Sequence, residues 1–167
     1  MVTTCRDYFP TPLPEKVESI DELIKIGKRE VHYKVRYSSI DDSAAKEPHR
    51  YLEKALVLMG EQGIQNGNLE FDIRYHIGLY LEHTDRSDQA RPHLERCISL
   101  KPEDTLSREL LGKVYHNMGE HGKSLEQFNI AICLLPLTSI ARNINVFYAI
   151  REYLETTRIG SSIRGLF

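Results

Sequence analysis

An internal repeat constrains the fold of this chain more than any other feature of its 167 residues. The segment IRYHIGLYLEH at 73–83 superposes on SRELLGKVYHN at 107–117, at an offset of 34 residues. The same offset pairs further positions of similar character: Leu81 with Tyr115, Ala90 with Ser124, Leu94 with Phe128, Cys97 with Ala131 and Pro102 with Pro136. A period of this length is typical of chains built from stacked supersecondary units that share one core.

Apolar spacing predicts two helices in each unit. Over 69–83 the apolar residues recur at intervals of two to four, which indicates a helix with more than one buried side. A short turn follows, and a second amphipathic pattern covers 88–100 in one unit and 122–134 in the next. Pro102 and Pro136 come shortly after these second helices, where a residue without an N–H ends the helical hydrogen bonding.

Two glycines predict how the helices of a pair meet. Gly78 and Gly112 occupy the same position of the repeat, inside the first helix of each unit. Glycine in a helix interior costs about 1 kcal/mol relative to alanine, so a compensating contact is needed. We therefore expect a neighbouring helix to approach the backbone closely at both glycines.

A partial third copy precedes the two regular units. RYLEKALVL at 50–58 matches PHLERCISL at 92–100, but the offset is 42 residues instead of 34. We assign the eight extra residues to the glycine- and asparagine-rich stretch 60–68. The helix before this copy is predicted to begin after Ser19, which opens a capping-box pattern, and to run to about Tyr37.

The chain is predicted to divide into three parts. We expect residues 1–18 to form a proline-spaced extended arm, 19–157 a helical repeat domain and 158–167 a flexible tail. Within the repeat domain, a last helix over 139–157 is expected to cap the stack with its polar side toward water. The three units are assigned to about 20–59, 71–104 and 105–138.

The second regular unit resembles the tetratricopeptide repeat (TPR) through Leu111-Gly112-x-x-Tyr115, followed by Ser124, Phe128, Ala131 and Pro136. The first regular unit repeats the pattern with Ile77-Gly78, Leu81, Ala90, Leu94, Cys97 and Pro102. The chain departs from the family at Arg74 and Arg108, where TPRs favour tryptophan, and at Pro92, which can shift or kink a second helix. The resemblance implies an all-α fold: a right-handed TPR-like solenoid of about seven helices, made of three helix pairs and a C-terminal capping helix.

The resemblance also implies where such a protein binds. First helices of TPR units line a concave groove that takes a peptide or helix of another protein. By position in the repeat, the implied partner-binding residues are Asp72, Tyr75, Leu79, Glu82, Leu106, Glu109, Lys113, His116, Asn143 and Phe147. The implied function is a non-catalytic protein-interaction adaptor. Two alternatives stay open: a structural subunit of a larger complex, and helix faces that are merely solvated.

Some TPR proteins hold a chaperone's C-terminal carboxylate with Lys, Asn and Arg side chains. Here Lys113 can supply one cation, but Tyr75, Leu79 and Glu109 fill other positions of such a clamp. Glu109 lies four residues before Lys113 on the same predicted helix, so we expect these two charges to pair with each other. A ligand with mixed apolar and polar side chains is favoured instead.

Composition and motifs argue against three other functions. Lysine and arginine number 22 and aspartate and glutamate 24, and a net charge of −2 is unlike that of a nucleic-acid-binding chain. Nucleophile motifs, phosphate loops and dinucleotide fingerprints are missing from the sequence, so we predict neither enzymatic activity nor a cofactor. His93 and Cys97 have a spacing that can hold a metal, but Cys97 falls at a small core position, and we predict no metal site.

The chain is predicted to be intracellular, and cytoplasmic by default. Its three cysteines form no Cys-x-x-Cys pair, which is unlike a disulfide scaffold. The N-terminal residues lack the basic start and apolar run of a secretory signal, and no stretch reaches the ~18 apolar residues of a membrane span. The expected partner is another protein, not nucleic acid or a membrane, and the oligomeric state stays open.

Overall fold

The structure is a computed structural model that describes residues 19–36 and 47–136. Six α-helices and no β-strand lie within these two ranges. They are α1 (Ile20–Arg36), α2 (His49–Glu61), α3 (Gly67–His83), α4 (Ser87–Leu100), α5 (Thr105–Asn117) and α6 (His121–Leu134). The predicted all-helical, TPR-like solenoid is confirmed. The predicted arm, capping helix and tail lie outside the described residues, as do Asn143 and Phe147.

Side-chain caps set the beginning of two first helices. α3 begins two residues before its apolar pattern because Asn66 Oδ1 accepts hydrogen bonds from the amides of Asn68 and Leu69, both at 3.1 Å. At α5, Asp104 Oδ2 accepts a hydrogen bond from the amide of Ser107 at 2.7 Å. Each cap satisfies amides that have no partner inside the helix, which typically stabilises a helix by about 1 kcal/mol.

The turn inside a pair has one geometry in the second and third units. Asp85 (φ 57°) and Gly119 (φ 77°) stand at equivalent positions, and both have left-handed backbone. In the second unit the amide of Arg86 donates to the carbonyl of Leu81 at 2.8 Å, and the third unit has the equivalent bond at the same length. These bonds satisfy carbonyls at the end of each first helix, although the two turn sequences have little in common.

The helices of a pair cross at the predicted glycines. A Cβ atom added to Gly78 would lie 2.6 Å from Leu94 Cδ2, and one added to Gly112 would lie 2.8 Å from the Phe128 ring. Carbon atoms in contact are normally about 3.5–4.0 Å apart, so neither position has room for a side chain. The expected close approach is confirmed at both positions.

The first pair repeats this contact, although its sequence offset hides it. A Cβ atom added to Gly27 of α1 would lie 2.6 Å from Leu52 Cγ of α2. Leu52 follows Gly27 by 25 residues, whereas Leu94 follows Gly78 by 16. The longer link between α1 and α2 breaks the 34-residue register without changing how the two helices cross.

A continuous core runs along the stack. Every described helix contributes fully buried side chains to it: Leu23, Val31, Leu52, Ile73, Ile77, Leu81, Leu94, Val114 and Phe128. Cys97 is buried as well, and burial raises the pKa of its thiol to about 12, so it acts as the small core residue that the repeat predicts. α4 runs from Ser87 through the exposed Pro92, so this proline does not mark the helix start.

Successive pairs bring the first helices together. α3 packs against α1 and against α5, while α2 packs against α3 and α4 against α5. The three first helices therefore lie side by side and share one surface. Among the helices of the described ranges, none has the length and apolar content needed to cross a membrane.

Candidate functional site

The candidate site is the surface shared by α1, α3 and α5, which we call the first-helix face. Eight of the ten predicted partner-binding residues are described, and all eight lie on α3 or α5. Leu106 is 56% exposed. The other seven are partly buried: Asp72, Tyr75, Leu79, Glu82, Glu109, Lys113 and His116. These side chains therefore lie at the margin of the core and not within it.

An ion pair and a histidine pair join α1 to α3. Lys28 Nζ lies 2.7 Å from Asp72 Oδ2. His32 Nε2 lies 3.2 Å from His76 Nε2, and the two rings meet edge to face with centroids 5.0 Å apart. The sequence pattern does not predict Lys28, His32 or His76 as site residues, because their partners lie 44 residues away, outside the 34-residue period.

Hydrogen bonding determines the tautomer of His76. Its Nδ1 lies 2.7 Å from the backbone oxygen of Asp72, which can only accept, so Nδ1 carries the hydrogen. Burial lowers the pKa of His76, so the ring is neutral near pH 7 and its Nε2 has a lone pair. His32 then donates its Nε2–H to that lone pair, and a second proton on His76 would break the bond.

Tyr75 is the principal aromatic group of the first-helix face. Its ring stacks on Phe71 with centroids 6.2 Å apart, and meets the edge of the His76 ring at 5.5 Å. Burial raises the pKa of the Tyr75 hydroxyl, and Asp104 and Glu109 raise it further. The ring is thus held by its neighbours, while its protonated hydroxyl can donate a hydrogen bond.

The charges between α3 and α5 do not balance. Lys113 Nζ lies 2.9 Å from Glu109 Oε1, which confirms the pairing expected from their spacing. Glu82 of α3 forms no hydrogen bond or ion pair with any residue that the structure describes. Burial raises the pKa of the Glu82 carboxyl, and the nearby Lys113 offsets this rise only in part.

These pairings disfavour the capture of a free carboxylate. Lys28 and Lys113 each have a carboxylate partner on the face, at 2.7 and 2.9 Å. Glu82 adds a negative charge close to Lys113. A chaperone-tail clamp needs cations that are available to the ligand, and both of these lysines already contact a carboxylate.

The described residues include no group of three or more His, Cys, Asp or Glu side chains that could hold a metal ion. The thiol of Cys97 donates to the carbonyl of Phe71 at 3.6 Å, inside the core. Burial lowers the pKa of His93 to about 4. His116 and His121 place their rings 5.4 Å apart across the turn between α5 and α6.

Comparison with known protein families identifies one unit of the chain. Residues 71–104, which cover most of α3 and all of α4, match the tetratricopeptide repeat. The matched segment contains Gly78 and Leu94, the contact at which its two helices cross. No curated protein and no solved structure matches the chain significantly.

Proposed function

Because the chain contains a tetratricopeptide repeat, we propose that it is a non-catalytic adaptor that binds a segment of a partner protein on the first-helix face. The observation that carries this proposal is Leu106, a leucine 56% exposed on α5. Asp72 stands at the equivalent position of the preceding unit, so the repeat itself does not require an apolar residue there. An apolar side chain of a partner would remove Leu106 from water.

The other groups of the first-helix face suit a segment of mixed polarity. Tyr75 and Leu79 are partly buried and pack against the core, so they lose little side-chain freedom when a ligand covers them. Glu82, Glu109 and Lys113 provide charges along the same face. Charged groups of this kind mainly set the orientation of a partner and the rate at which it associates.

A structural subunit of a larger complex is the second candidate, and two exposed apolar side chains outside the first helices favour it. Val57 of α2 is 58% exposed, and Ile64, in the connection to α3, is 40% exposed. Neither residue belongs to a first helix. A neighbouring subunit that packs against α2 or the α2–α3 connection would cover an apolar side chain there.

Two matched variants distinguish these candidates. Leu106→Glu and Val57→Glu each place a charge at a leucine or valine that is more than half exposed, so both should fold like the wild type. We expect Leu106→Glu to abolish capture of the partners that the wild-type chain retains in its native cell, and Val57→Glu to leave their capture unchanged. Quantitative mass spectrometry of both pull-downs measures this, with circular dichroism as the control for folding.

The reverse result would overturn the proposal. If Val57→Glu loses these partners while Leu106→Glu retains them, the binding surface lies on α2. That result would support the complex-subunit candidate. Unchanged capture by both variants would also contradict binding at Leu106.

A further inference from the structure

Glu82 is a charged residue of the first-helix face that has no ionic partner among the described residues. It lies in the last turn of α3 and is partly buried. Other charges of this face are paired within the protein, Lys28 with Asp72 at 2.7 Å and Lys113 with Glu109 at 2.9 Å. The Glu82 carboxylate has no such partner among the described residues.

Its position makes an unpaired carboxylate costly in two ways. Partial burial withdraws the carboxylate from water without a compensating hydrogen bond, and the pKa of Glu82 is raised for that reason. The C-terminal turn of a helix also carries partial negative charge, which disfavours an anion and favours a cation. Lys113 and His83 favour the charged form of Glu82 by more than Asp85 and Glu109 disfavour it, so burial is what raises the pKa. A cation supplied from outside the chain would offset the cost of burial and the unfavourable position at the end of the helix.

The neighbouring side chains indicate the form of that cation. Leu79 precedes Glu82 by three residues and so lies on the same side of α3. Leu79 and Tyr75, one turn earlier still, are partly buried apolar groups that leave some surface uncovered. Arginine and lysine carry a charge at the end of an aliphatic stem, and they commonly lay that stem along apolar surface while the charge reaches a carboxylate. A bare metal ion would lack this apolar contact, and the described residues offer it no group of three ligands.

We propose that Glu82 receives an arginine or lysine side chain of the bound partner segment, with the aliphatic stem of that side chain packed on Leu79 and Tyr75. This inference rests on the proposed function and specifies the chemistry of its ligand. It also predicts the sign of the partner's charge, because the partner must bring positive charge to α3. An acidic segment would add a third negative charge to Glu82 and Glu109.

Two peptides that differ only in charge test this inference. Both are acetylated and amidated five-residue peptides, one with the sequence Leu-Ala-Arg-Ala-Leu and the other with citrulline, the neutral isostere, in place of arginine. Each is titrated into the ¹⁵N-labelled full chain, and amide shifts are followed by NMR. We expect the arginine peptide to shift the amides of Tyr75, Leu79 and Glu82, and the citrulline peptide to bind about threefold to tenfold more weakly.

A variant pair assigns the difference to one carboxylate. Glu82→Gln keeps the shape of the side chain and removes its charge, so it should reduce the affinity for the arginine peptide to that for the citrulline peptide. Glu126→Gln removes an exposed carboxylate from α6, a second helix, and should change nothing.

The outcomes separate this inference from the proposed function. The inference is wrong, and the proposed function stands, if both peptides shift the amides of Tyr75 and Leu79 with equal affinity. The same conclusion follows if Glu82→Gln binds the arginine peptide as well as the wild type does. If the arginine peptide shifts only amides away from α1, α3 and α5, both are wrong. If it shifts no amide at millimolar concentration, the inference is wrong.

Discussion

The first helix pair and the two regular pairs all cross at a glycine of the first helix, but their connections differ in length. In α1–α2, as in α3–α4, a glycine of the first helix lies against a leucine of the second, and an added Cβ would lie 2.6 Å from that leucine in both pairs. The connection between glycine and leucine is nevertheless nine residues longer in the first pair. The crossing contact, and not the loop length, is therefore what defines a unit of this fold.

The contacts between pairs differ more than the contacts within them. α1 meets α3 through Lys28–Asp72 and the histidine pair. α4 meets α5 through a hydrogen bond from the Tyr115 hydroxyl to Glu95, at 2.9 Å. These polar contacts depend on pH and salt, and they add to the apolar cluster that extends from α1 to α5 across the joints.

The most damaging single change should be Gly78→Ala. The added methyl group would overlap Leu94, which is 0% exposed, and overpacking of this kind typically costs about 1–3 kcal/mol of unfolding free energy. Gly60→Ala is the matched control, because nothing lies within 4 Å of its Cβ position in α2. That variant should be as stable as the wild type or slightly more stable, since alanine is the better helix former. Urea denaturation measures both, and equal stability would contradict the crossing contact.

Gly27→Ala tests whether the first pair is a unit in its own right. The clash with Leu52 is as close as the one at Gly78, but it lies at one end of the described stack. In a solenoid each unit contacts only its neighbours, so the loss of protection should be greatest in α1 and α2 and smallest in α5 and α6. Hydrogen exchange with mass spectrometry resolves the helices. A uniform loss over all six described helices would show that the stack behaves as a single cooperative body.

Acidification from pH 7 to pH 5 should weaken the stack through histidines whose pKa is lowered by burial. Burial lowers the pKa of His49, His76 and His93, the last to about 4. A histidine with a lowered pKa in the folded state binds its proton more readily when unfolded, so its contribution is complete above pH 6.5 and is lost as the pH falls toward 4. Allowing for the partial exposure of His93, we expect a loss of about 1–2 kcal/mol between pH 7 and pH 5.

His93→Gln separates this titration from other effects of acid. Gln127 occupies the equivalent position of the next unit, so the repeat accommodates glutamine there. Thermal melts at pH 7 and pH 5 should show a smaller pH dependence for the variant than for the wild type. The same pH dependence in both would exclude His93 as its source.

The smallest effect is expected at the ion pair between α1 and α3. Lys28 and Asp72 are 34% and 37% exposed, and pairs with this exposure typically contribute about 0.2–1 kcal/mol. Lys28→Met keeps most of the aliphatic stem and removes the charge, so it should lower stability by that amount at low salt. The difference in stability between the variant and the wild type should be smaller in 0.5 M NaCl, because salt screens the attraction between exposed charges. A larger loss that salt does not change would mean that the stem, and not the charge, joins the helices.

The sequence by itself determined the fold class, the helix pairs of 71–136 and the two crossing glycines Gly78 and Gly112. Each of these depends on short-range periodicity or on a small residue that recurs at a fixed interval, and such signals survive in one chain without its structure. The same periodicity predicts Cys97 as a core residue, and Cys97 is buried.

Only the tertiary structure decided which polar groups of different helices meet. The repeat pattern does not identify Gly27, because the longer link in the first pair moves it out of register with Gly78. The histidine pair joins residues 44 positions apart, a separation that depends on the lengths of both intervening connections. Glu82 has no ionic partner among the described residues for a related reason: Lys113 lies near it in space but bonds to Glu109 on its own helix. When two carboxylates lie near one lysine, the three-dimensional geometry decides which of them forms the ion pair. The repeat period of the sequence carries no information about that geometry.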